Sequence, residues 1–312
     1  MAVLVTGGKG FIGKNLLRCF DENNISWVAT SRYSFEDSYL YLDLSNDETI
    51  ESIDFSCIRT VVHLASLAHS PGATEGDLLA INYEGTKTLI NQAKKNGVQH
   101  FIFISSIGVN GLGKNKSYRF DDKPEPQEKY AQSKLDAEMA LKEFCSDGSM
   151  GFTIIRPPLV FGKDAPGNFA TLLKVAVKNY PMPFGKIENR RSFVYVDNLV
   201  NLILHCIRNP SKSLGQTFLV SDDYDLSTTE LLKKIIVASG QSPRLLPVPV
   251  GVLLLMASLC GKRTIIERLT RDLTVNIEHT KSTLDWEPPI SVDEGLRRCF
   301  DVRDRHCNPP DN

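Results

Sequence analysis

The sequence lacks a hydrophobic run long enough to cross a membrane. Its longest apolar stretch, 251–261, has 11 residues, whereas a membrane-spanning helix needs about 20. We interpret this stretch as a packed or interfacial helix that caps a substrate site or contacts a partner, with peripheral membrane contact as an alternative. The first residues enter a strand-like run without a basic region or a cleavage site. We therefore predict a cytoplasmic protein with no transmembrane segment.

An excess of charge of one sign is also missing. The 36 Lys and Arg residues balance 37 Asp and Glu residues to a formal net charge of -1, which gives no reason to expect nucleic acid as a partner. The seven cysteines are scattered without a CxxC spacing, and the six histidines form no metal-ligand pattern with them. We expect reduced thiols and no metal site.

What the sequence does contain is an alternation of strand-like and helical patterns through its first half. Strands are predicted at 2–6, 26–30, 60–64, 100–105 and 153–156, and helices at 11–23 and 78–95. Strands separated by helices imply parallel pairing and right-handed crossovers. We therefore predict an α/β fold with a Rossmann-type doubly wound parallel sheet.

A glycine-rich segment lies between the first predicted strand and the first predicted helix. It reads Thr6-Gly7-Gly8-Lys9-Gly10-Phe11-Ile12-Gly13. Glycines at 7, 10 and 13 permit a tight turn, close approach to a pyrophosphate and close helix–strand packing, and the helix N-terminus then faces the phosphates. We predict a dinucleotide site in which Gly7, Gly10, Phe11, Ile12 and Gly13 contact the cofactor.

The segment that should recognise the ribose departs from the usual NAD pattern. An acid is expected at the end of the second strand, but here the strand runs into Ser31-Arg32. Because a guanidinium pairs well with a 2′-phosphate, we predict NADP(H) as the cofactor, with NAD(H) possible. In the alternative, Arg32 stacks on adenine or faces solvent. Asp43 and Leu44, after the next short strand, are placed to meet the adenine edge.

Proline and glycine punctuate the second half, where helices alternate with loops. We predict a smaller C-terminal mixed α/β substrate domain over the carboxyl edge of the sheet. The dinucleotide-binding domain then comprises 1–160 and about 192–222, and the substrate domain comprises 161–191 and 223–303. Residues 304–312 are predicted to form a frayed tail.

Three side chains carry the predicted chemistry. Tyr130 and Lys134 are four residues apart, on one face of a helix. A tyrosine has a reference pKa of about 10, and a neighbouring ammonium together with an oxidised nicotinamide should lower that pKa toward the working range. Ser106 follows a strand at the sheet edge where such folds bind ligands, so its hydroxyl can hydrogen-bond the reacting oxygen.

With these residues the sequence resembles the extended short-chain dehydrogenase/reductase family, in its nucleotide-sugar epimerase and reductase branch. The resemblance covers nearly the whole chain. It rests on the glycine loop, Asp43-Leu44, His63-Leu64-Ala65-Ser66, Asn82-Tyr83-Glu84-Gly85-Thr86, Ser105-Ser106, Tyr130 with Lys134, Arg156-Pro157, and the segment 191–197.

The resemblance implies roles for further residues. Leu64, Ala65, Ser105 and Pro157 would lie along the cofactor, Asn82 would support the active-site loop, and Ser106 rather than Ser105 would be catalytic. Asn168 and Arg191 would bind the diphosphate of a UDP-linked sugar, with surface charge as the alternative for Arg191. Relatives pair helices equivalent to 78–95 and 130–144, so a homodimer is expected.

Two departures bear on the reaction. The acid of NAD-dependent epimerases is missing at Arg32, and Asn110 stands where many relatives carry tyrosine. The segments 106–111, 156–162 and 220–223 are similar to a subgroup of bacterial surface-polysaccharide (O-antigen) enzymes, which are UDP-glucose 4-epimerase-like or form UDP-N-acetylquinovosamine by 4-keto reduction. We predict reduction of a UDP-4-keto-6-deoxy-N-acetylhexosamine. The alternatives are a UDP-sugar 4-epimerase with tightly bound NAD and a non-catalytic NADP-sensing protein.

Overall fold

The computed structural model describes residues 1–33, 39–68, 72–113 and 116–301, with the side chain of Asn168 outside this description. The predicted tail at 304–312 also lies outside the described residues. The strands are β1 (Ala2–Thr6), β2 (Trp27–Ser31), β3 (Tyr39–Tyr41), β4 (Ile58–His63), β5 (His100–Ile104), β6 (Gly151–Arg156), β7 (Leu159–Phe161), β8 (Phe193–Tyr195) and β9 (Gln216–Leu219).

Seven of these strands form one parallel sheet in the order β3-β2-β1-β4-β5-β6-β9. β7 and β8 pair in parallel as a second, two-stranded sheet. β5 reads His-Phe-Ile-Phe-Ile and is buried along its whole length, as expected for a strand covered on both faces. The predicted Rossmann-type sheet is confirmed.

Helices cover both faces of the large sheet. They are α1 (Phe11–Glu22), α2 (Asp47–Glu51), α3 (Glu75–Leu78), α4 (Gly85–Lys95), α5 (Lys129–Phe144), α6 (Asn168–Lys178), α7 (Val196–Arg208), α8 (Pro210–Ser213), α9 (Thr228–Ala238), α10 (Val250–Leu259), α11 (Arg263–Thr270), α12 (Glu278–Leu284) and α13 (Val292–Arg298). One hydrophobic core holds α1 and α7 against the sheet, and a second core holds α4 and α5 against its other face.

The single helix predicted at 78–95 is wrong in detail. The chain forms α3, then a π-helical turn at Leu79–Glu84, then α4. The carboxamide of Asn82 bonds inward to the loop after β4 and to α5, which favours the wider turn over a regular α-helix. The backbone just after this turn packs closely against Leu44. A Cβ on Gly85 would lie 1.9 Å from the carbonyl oxygen of Leu44, so a larger residue would not fit there.

In the C-terminal part of the chain, α9 packs on α6 and α13, and α12 packs on α8 and β9. Isolated bridges join its segments, and two of them place Arg191 between Leu226 and Leu273. β9, which the stretch 192–222 contributes, is the last strand of the large sheet. The domain boundaries themselves stay a prediction.

Candidate functional site

The glycine loop after β1 is shaped by contacts that exclude side chains. Gly7 has a φ of 71°, and a Cβ there would lie 2.9 Å from the backbone nitrogen of Ala65. A Cβ on Gly13 would lie 2.3 Å from the carbonyl oxygen of Gly7. The first turn of α1 therefore lies directly on the loop, with no acidic side chain in that turn. Such a helix N-terminus and backbone cradle fit a pyrophosphate.

A groove of about 270 Å³ runs from this loop along the carboxyl edge of the sheet. It is lined by Gly7, Lys9, Gly10, Thr30, Ser31, Arg32, Tyr33, Leu42, Leu44, Leu64, Ala65, Ser66, Leu67 and Ile81. The groove thus brings together seven of the predicted cofactor residues: Gly7, Gly10, Ser31, Arg32, Leu44, Leu64 and Ala65.

Other predicted cofactor residues lie beside the groove rather than in its lining. Phe11 packs against Gly162, whose Cβ would lie 2.9 Å from the Phe11 ring, and Ile12 is half-buried in α1. The carboxylate of Asp43 accepts hydrogen bonds from the backbone and hydroxyl of Ser45. Pro157 is buried, and its carbonyl accepts from the Ile107 nitrogen at 3.0 Å.

A buried hydrogen-bonded chain supports the groove from below. The hydroxyl of Thr6 accepts from the backbone nitrogens of Leu64 and Ala65, each at 3.2 Å, and lies 2.7 Å from Nδ1 of His63. Since this hydroxyl already accepts twice, its proton points to Nδ1, and Nε2 donates to Thr86 at 3.0 Å. Burial, with the charge of Lys134 as a smaller cause, lowers the pKa of His63 to about 3. The imidazole is therefore neutral.

Asn82, on the π-helical turn, ties the loop after β4 to the helix α5. Its Oδ1 accepts from the backbone nitrogen of Leu67 at 2.7 Å, and its Nδ2 donates to the Leu67 carbonyl and to the Ser133 hydroxyl, each at 3.1 Å. Ser133 in turn donates to the Tyr130 carbonyl at 2.9 Å. Asn82 thus holds the first turn of α5 against the groove.

The three predicted catalytic side chains converge at the ends of β4 and β5. Lys134 is 2% exposed and donates from Nζ to the carbonyl of Ile104 at 3.0 Å, next to the Phe103 ring. Ser106 is half-buried and accepts from the Gly108 nitrogen. A Cβ on Gly108 would lie 3.4 Å from the Ser106 hydroxyl and 3.2 Å from the Ala131 Cβ. Gly108 therefore lies close to both the Ser106 hydroxyl and the first turn of α5, which carries Tyr130.

Ser105 and Ser106 differ in their surroundings. The Ser105 hydroxyl is buried, and among the described residues it has no hydrogen-bond partner. Ser106 keeps an accessible side chain at the same strand end. Accessibility favours Ser106 as the residue that meets a substrate oxygen.

The titration of the tyrosine–lysine pair is dominated by burial. Burial raises the pKa of Tyr130, and a hydrogen bond with the Ser66 side chain opposes this shift. Burial lowers the pKa of Lys134 to about 7, against a smaller opposing effect of Glu138. The expected lowering of the Tyr130 pKa by Lys134 is therefore not seen: burial raises this pKa, and the opposing effect comes from Ser66 rather than from Lys134.

Sequence reasoning missed a buried ion pair that fixes α5 to the sheet. Arg156, at the end of β6, donates from Nε and Nη2 to both carboxylate oxygens of Glu138 at 2.9 and 2.5 Å. Its Nη1 donates to Asn110 at 3.0 Å, and Asn110 donates to the Arg119 carbonyl. The sequence does contain a sign of this pair: Glu138 interrupts an alanine-rich helix face, and Arg156 ends an apolar strand.

A second cavity of about 440 Å³ lies between α5, α6, α9 and α11. Arg191 lines it, and the described residues offer its Nε no hydrogen-bond partner. Burial lowers the pKa of this guanidinium. The lining also contains Arg268, Arg271 and Glu128, which the sequence did not single out. Arg268 donates to Glu128 at 2.6 Å.

Two residues that line this cavity are close in sequence to predicted site residues. Glu128 precedes the first turn of α5, and Leu159 of β7 follows Pro157 in the chain and also lines the cavity. Apolar side chains, among them Phe169 and Phe193, form much of the remaining wall. The cavity can hold an anionic group near the arginines and a flat apolar group on the wall. Arg190 stays outside the lining and pairs with Asp225.

Comparisons with known proteins agree with this geometry. The model of the NAD dependent epimerase/dehydratase family matches residues 3–221. A relative named UDP-glucose 4-epimerase from Vibrio cholerae is 38% identical over 308 residues, 95% of this chain and 94% of that protein. The N-acetyl-alpha-D-glucosaminyl-diphospho-ditrans,octacis-undecaprenol 4-epimerase of Escherichia coli O157:H7 is 26% identical over 99% of this chain and 97% of its own length.

Among solved structures, UDP-glucose 4-epimerase from Thermotoga maritima with UDP-glucose superposes with a TM-score of 0.77 at 25% identity, over 96% of this chain and 97% of that one. The resemblance seen in the sequence is thereby confirmed. The chain belongs to the NAD dependent epimerase/dehydratase family and is an enzyme of the nucleotide-sugar epimerase branch of the extended short-chain dehydrogenases/reductases.

Proposed function

We propose that this enzyme transfers hydride at C4 of a UDP-linked sugar, with Tyr130 as its acid and base. The observation that carries the proposal is the placement of Lys134, whose buried Nζ bonds the carbonyl of Ile104. Ser106 follows that strand end by two residues, and Tyr130 lies one turn before Lys134 on α5. This arrangement supports Tyr130 as proton donor, Ser106 as hydrogen-bond donor and Lys134 as the neighbouring ammonium.

The residues of the chain divide the work as follows. A bound nicotinamide supplies or accepts the hydride. Tyr130 gives its phenolic proton to the C4 oxygen when a ketone is reduced and takes it back when the alcohol is oxidised. Ser106 hydrogen-bonds the same oxygen. Lys134 stabilises the phenolate that forms when Tyr130 gives up its proton. Asn82 and the Arg156–Glu138 pair hold these groups in position.

The arginine-lined cavity supports a nucleoside diphosphate as the other end of the substrate. We propose that Arg191, Arg268 and Arg271 contact the two phosphates, since planar guanidinium groups suit phosphate oxygens. Asn168 at the start of α6 is proposed as a further contact. The names of the Vibrio and Thermotoga relatives support UDP as the nucleotide.

For the cofactor, the cationic lining of the groove supports NADP(H). Lys9 and Arg32 both line the adenosine end, and the described lining contains no acidic residue. A 2′-phosphate would meet these cations, whereas the ribose hydroxyls of NAD would lack an acidic acceptor there. NAD(H) is the alternative that the comparisons also accommodate.

Two reactions use the same atoms. Reduction of a UDP-4-keto-6-deoxy-N-acetylhexosamine is favoured by the Lys9 and Arg32 lining, because NADPH serves as a consumed reductant. A 4-epimerase, which oxidises C4 and returns the hydride to the opposite face, is favoured by the names of the relatives. Membership in an enzyme family argues against the NADP-sensing alternative.

The two reactions differ in whether the enzyme consumes its cofactor or retains it. A reductase consumes NADPH with the 4-keto sugar nucleotide and is purified largely free of cofactor. An epimerase retains NAD⁺ and interconverts UDP-glucose with UDP-galactose, or the corresponding N-acetyl sugars, without net NADPH use. Mass spectrometry of the released cofactor and an NADPH absorbance assay test this. Stoichiometric NAD⁺ with no NADPH consumption would reject the reductase in favour of the epimerase.

The groove contacts are tested by Arg32→Ala. If Arg32 binds a 2′-phosphate, the change raises the Kd for NADPH about tenfold and leaves the Kd for NADH nearly unchanged. Equal losses for both cofactors would contradict NADP(H) recognition by Arg32.

We further propose that two copies pair through α4 and α5. Met139 on α5 is 54% exposed, and Tyr83, Lys87 and Phe144 line a surface cavity beside it.

A further inference from the structure

Helix α10 presents an apolar stripe to the outside of the molecule. Val252, Leu255, Met256 and Leu259 are 45%, 65%, 57% and 82% exposed. Their spacing of i, i+3, i+4 and i+7 places them on one face of the helix. The opposite face packs inward through the buried Leu253 and Ala257. α10 is therefore apolar on both faces, and four of its large apolar side chains are directed away from the core.

The chain around this stripe is cationic. Between Glu230 and Glu267 the sequence has five basic residues and no acidic residue: Lys233, Lys234, Arg244, Lys262 and Arg263. Lys234 pairs with Asp293 at 2.6 Å and Arg263 with Glu267 at 2.8 Å. Lys262 is exposed at the turn that joins α10 to α11. This local excess contrasts with the whole chain, whose net charge is -1. A partner for this face must therefore present both apolar and negatively charged groups.

A second copy of the chain fits this requirement poorly. Two copies paired through the α10 stripe would bring their positive charges together across a twofold axis. Four side chains also supply only part of the ~800 Å² that each partner contributes to a standard interface. Within the described residues, no helix is long and apolar enough to cross a membrane. The remaining surface that combines acyl chains with negative charge is the headgroup boundary of an anionic bilayer.

We propose that the hairpin of α10 and α11 seats this enzyme on the surface of an anionic phospholipid bilayer. The stripe of Val252, Leu255, Met256 and Leu259 enters the boundary between headgroups and acyl chains, while Lys262 contacts lipid phosphates. α11 connects this contact to the arginine-lined cavity, because Ile265 is exposed and also lines that cavity. The cavity is then held close to the lipid surface.

The test measures flotation of the full-length protein with vesicles, and it needs neither substrate nor cofactor. Vesicles of phosphatidylcholine with 30% phosphatidylglycerol are compared with phosphatidylcholine alone, at low and high salt. We expect the protein to float with the anionic vesicles, and binding to fall at high salt because the headgroup attraction is screened. Leu255→Glu with Leu259→Glu should lower the bound fraction at least about tenfold.

The control is Val237→Glu, on α9, where an apolar side chain about as exposed as Leu255 (61% against 65%) receives one negative charge. Leu255→Glu alone is its match in charge. Val237→Glu should retain the binding of the unmodified protein. Light scattering and thermal unfolding verify that each variant keeps its fold and oligomeric state. The proposal is overturned if the unmodified protein stays unbound, if the Glu variants float as it does, or if Val237→Glu loses as much binding. It is also overturned if the Leu255 and Leu259 changes dissociate an oligomer without lipid, since a second copy would then cover the stripe.

Discussion

The cofactor groove and the arginine-lined cavity are built on opposite principles. The groove is formed by the glycine loop and by residues that follow the ends of neighbouring strands, and Thr6, His63 and Asn82 hold its walls by buried hydrogen bonds. The cavity takes its charge from Arg191, Arg268 and Arg271, which come from distant points of the chain. The groove is therefore preorganised by the fold, whereas the cavity depends on long side chains that a ligand can rearrange.

The largest expected effect is at the proposed proton donor, Tyr130. Tyr130→Phe removes the proton donor and keeps the ring, so turnover should fall about 10³-fold. Affinity for the cofactor should stay within a few-fold of that of the unmodified enzyme, because the glycine loop is untouched. Steady-state kinetics and cofactor titration measure the two quantities. An equal loss of turnover and of cofactor affinity would show that Tyr130 contributes to cofactor binding as well as to the reaction.

The rigidity of the groove side is tested by Glu138→Gln. This change leaves the guanidinium of Arg156 buried without a counter-charge, and breaking a buried pair costs about 3–5 kcal/mol of unfolding free energy. Glu143→Gln, an exposed change on the same helix, is the control and should be nearly neutral. Denaturant unfolding monitored by circular dichroism measures both. A loss below 1 kcal/mol for Glu138→Gln would mean that α5 is not anchored by this pair.

On the cavity side, Arg191→Ala should act on substrate affinity rather than on the fold. Losing one charge-assisted phosphate contact should raise KM about 10- to 100-fold, in line with about 1.5–3 kcal/mol for a hydrogen bond to a charged group. Arg190→Ala, which removes the adjacent guanidinium outside the cavity, should leave KM unchanged. If the two variants behave alike, the cavity is not the phosphate site.

The smallest effect is a pH dependence on the groove side. His63 has a folded pKa of about 3, below the unfolded value, so its stabilising contribution is complete above about pH 6.5 and is lost as the pH falls toward 3. Between pH 7 and pH 5 the contribution should fall by about 2 kcal/mol. His63→Gln should flatten the profile of unfolding free energy in this range. An unchanged slope would contradict the neutral imidazole.

The same contrast explains what the sequence could predict. Gly7, Gly10 and Gly13 recur every three residues from the loop into the first turn of α1, and Tyr130 and Lys134 share one helix face, so local spacing was enough to predict these positions. The ion pair between Glu138 and Arg156 could not be predicted without knowing which strand faces α5.

Arg268 and Arg271 left no local pattern, because their meeting with Arg191 depends on how the chain returns after β9. Burial also reversed the expected direction of the Tyr130 pKa shift. Desolvation is a property of the folded surroundings and cannot be obtained from the spacing of Tyr130 and Lys134.

The π-helical turn at Leu79–Glu84 has a consequence for how insertions and deletions are tolerated. One residue corresponds to about 100° of rotation around an α-helix. Deleting one residue from this turn would therefore let the segment relax into a regular α-helix while swinging the Asn82 carboxamide away from Leu67 and Ser133. The helix would gain regularity, and the wall of the cofactor groove would lose the clamp that joins it to α5.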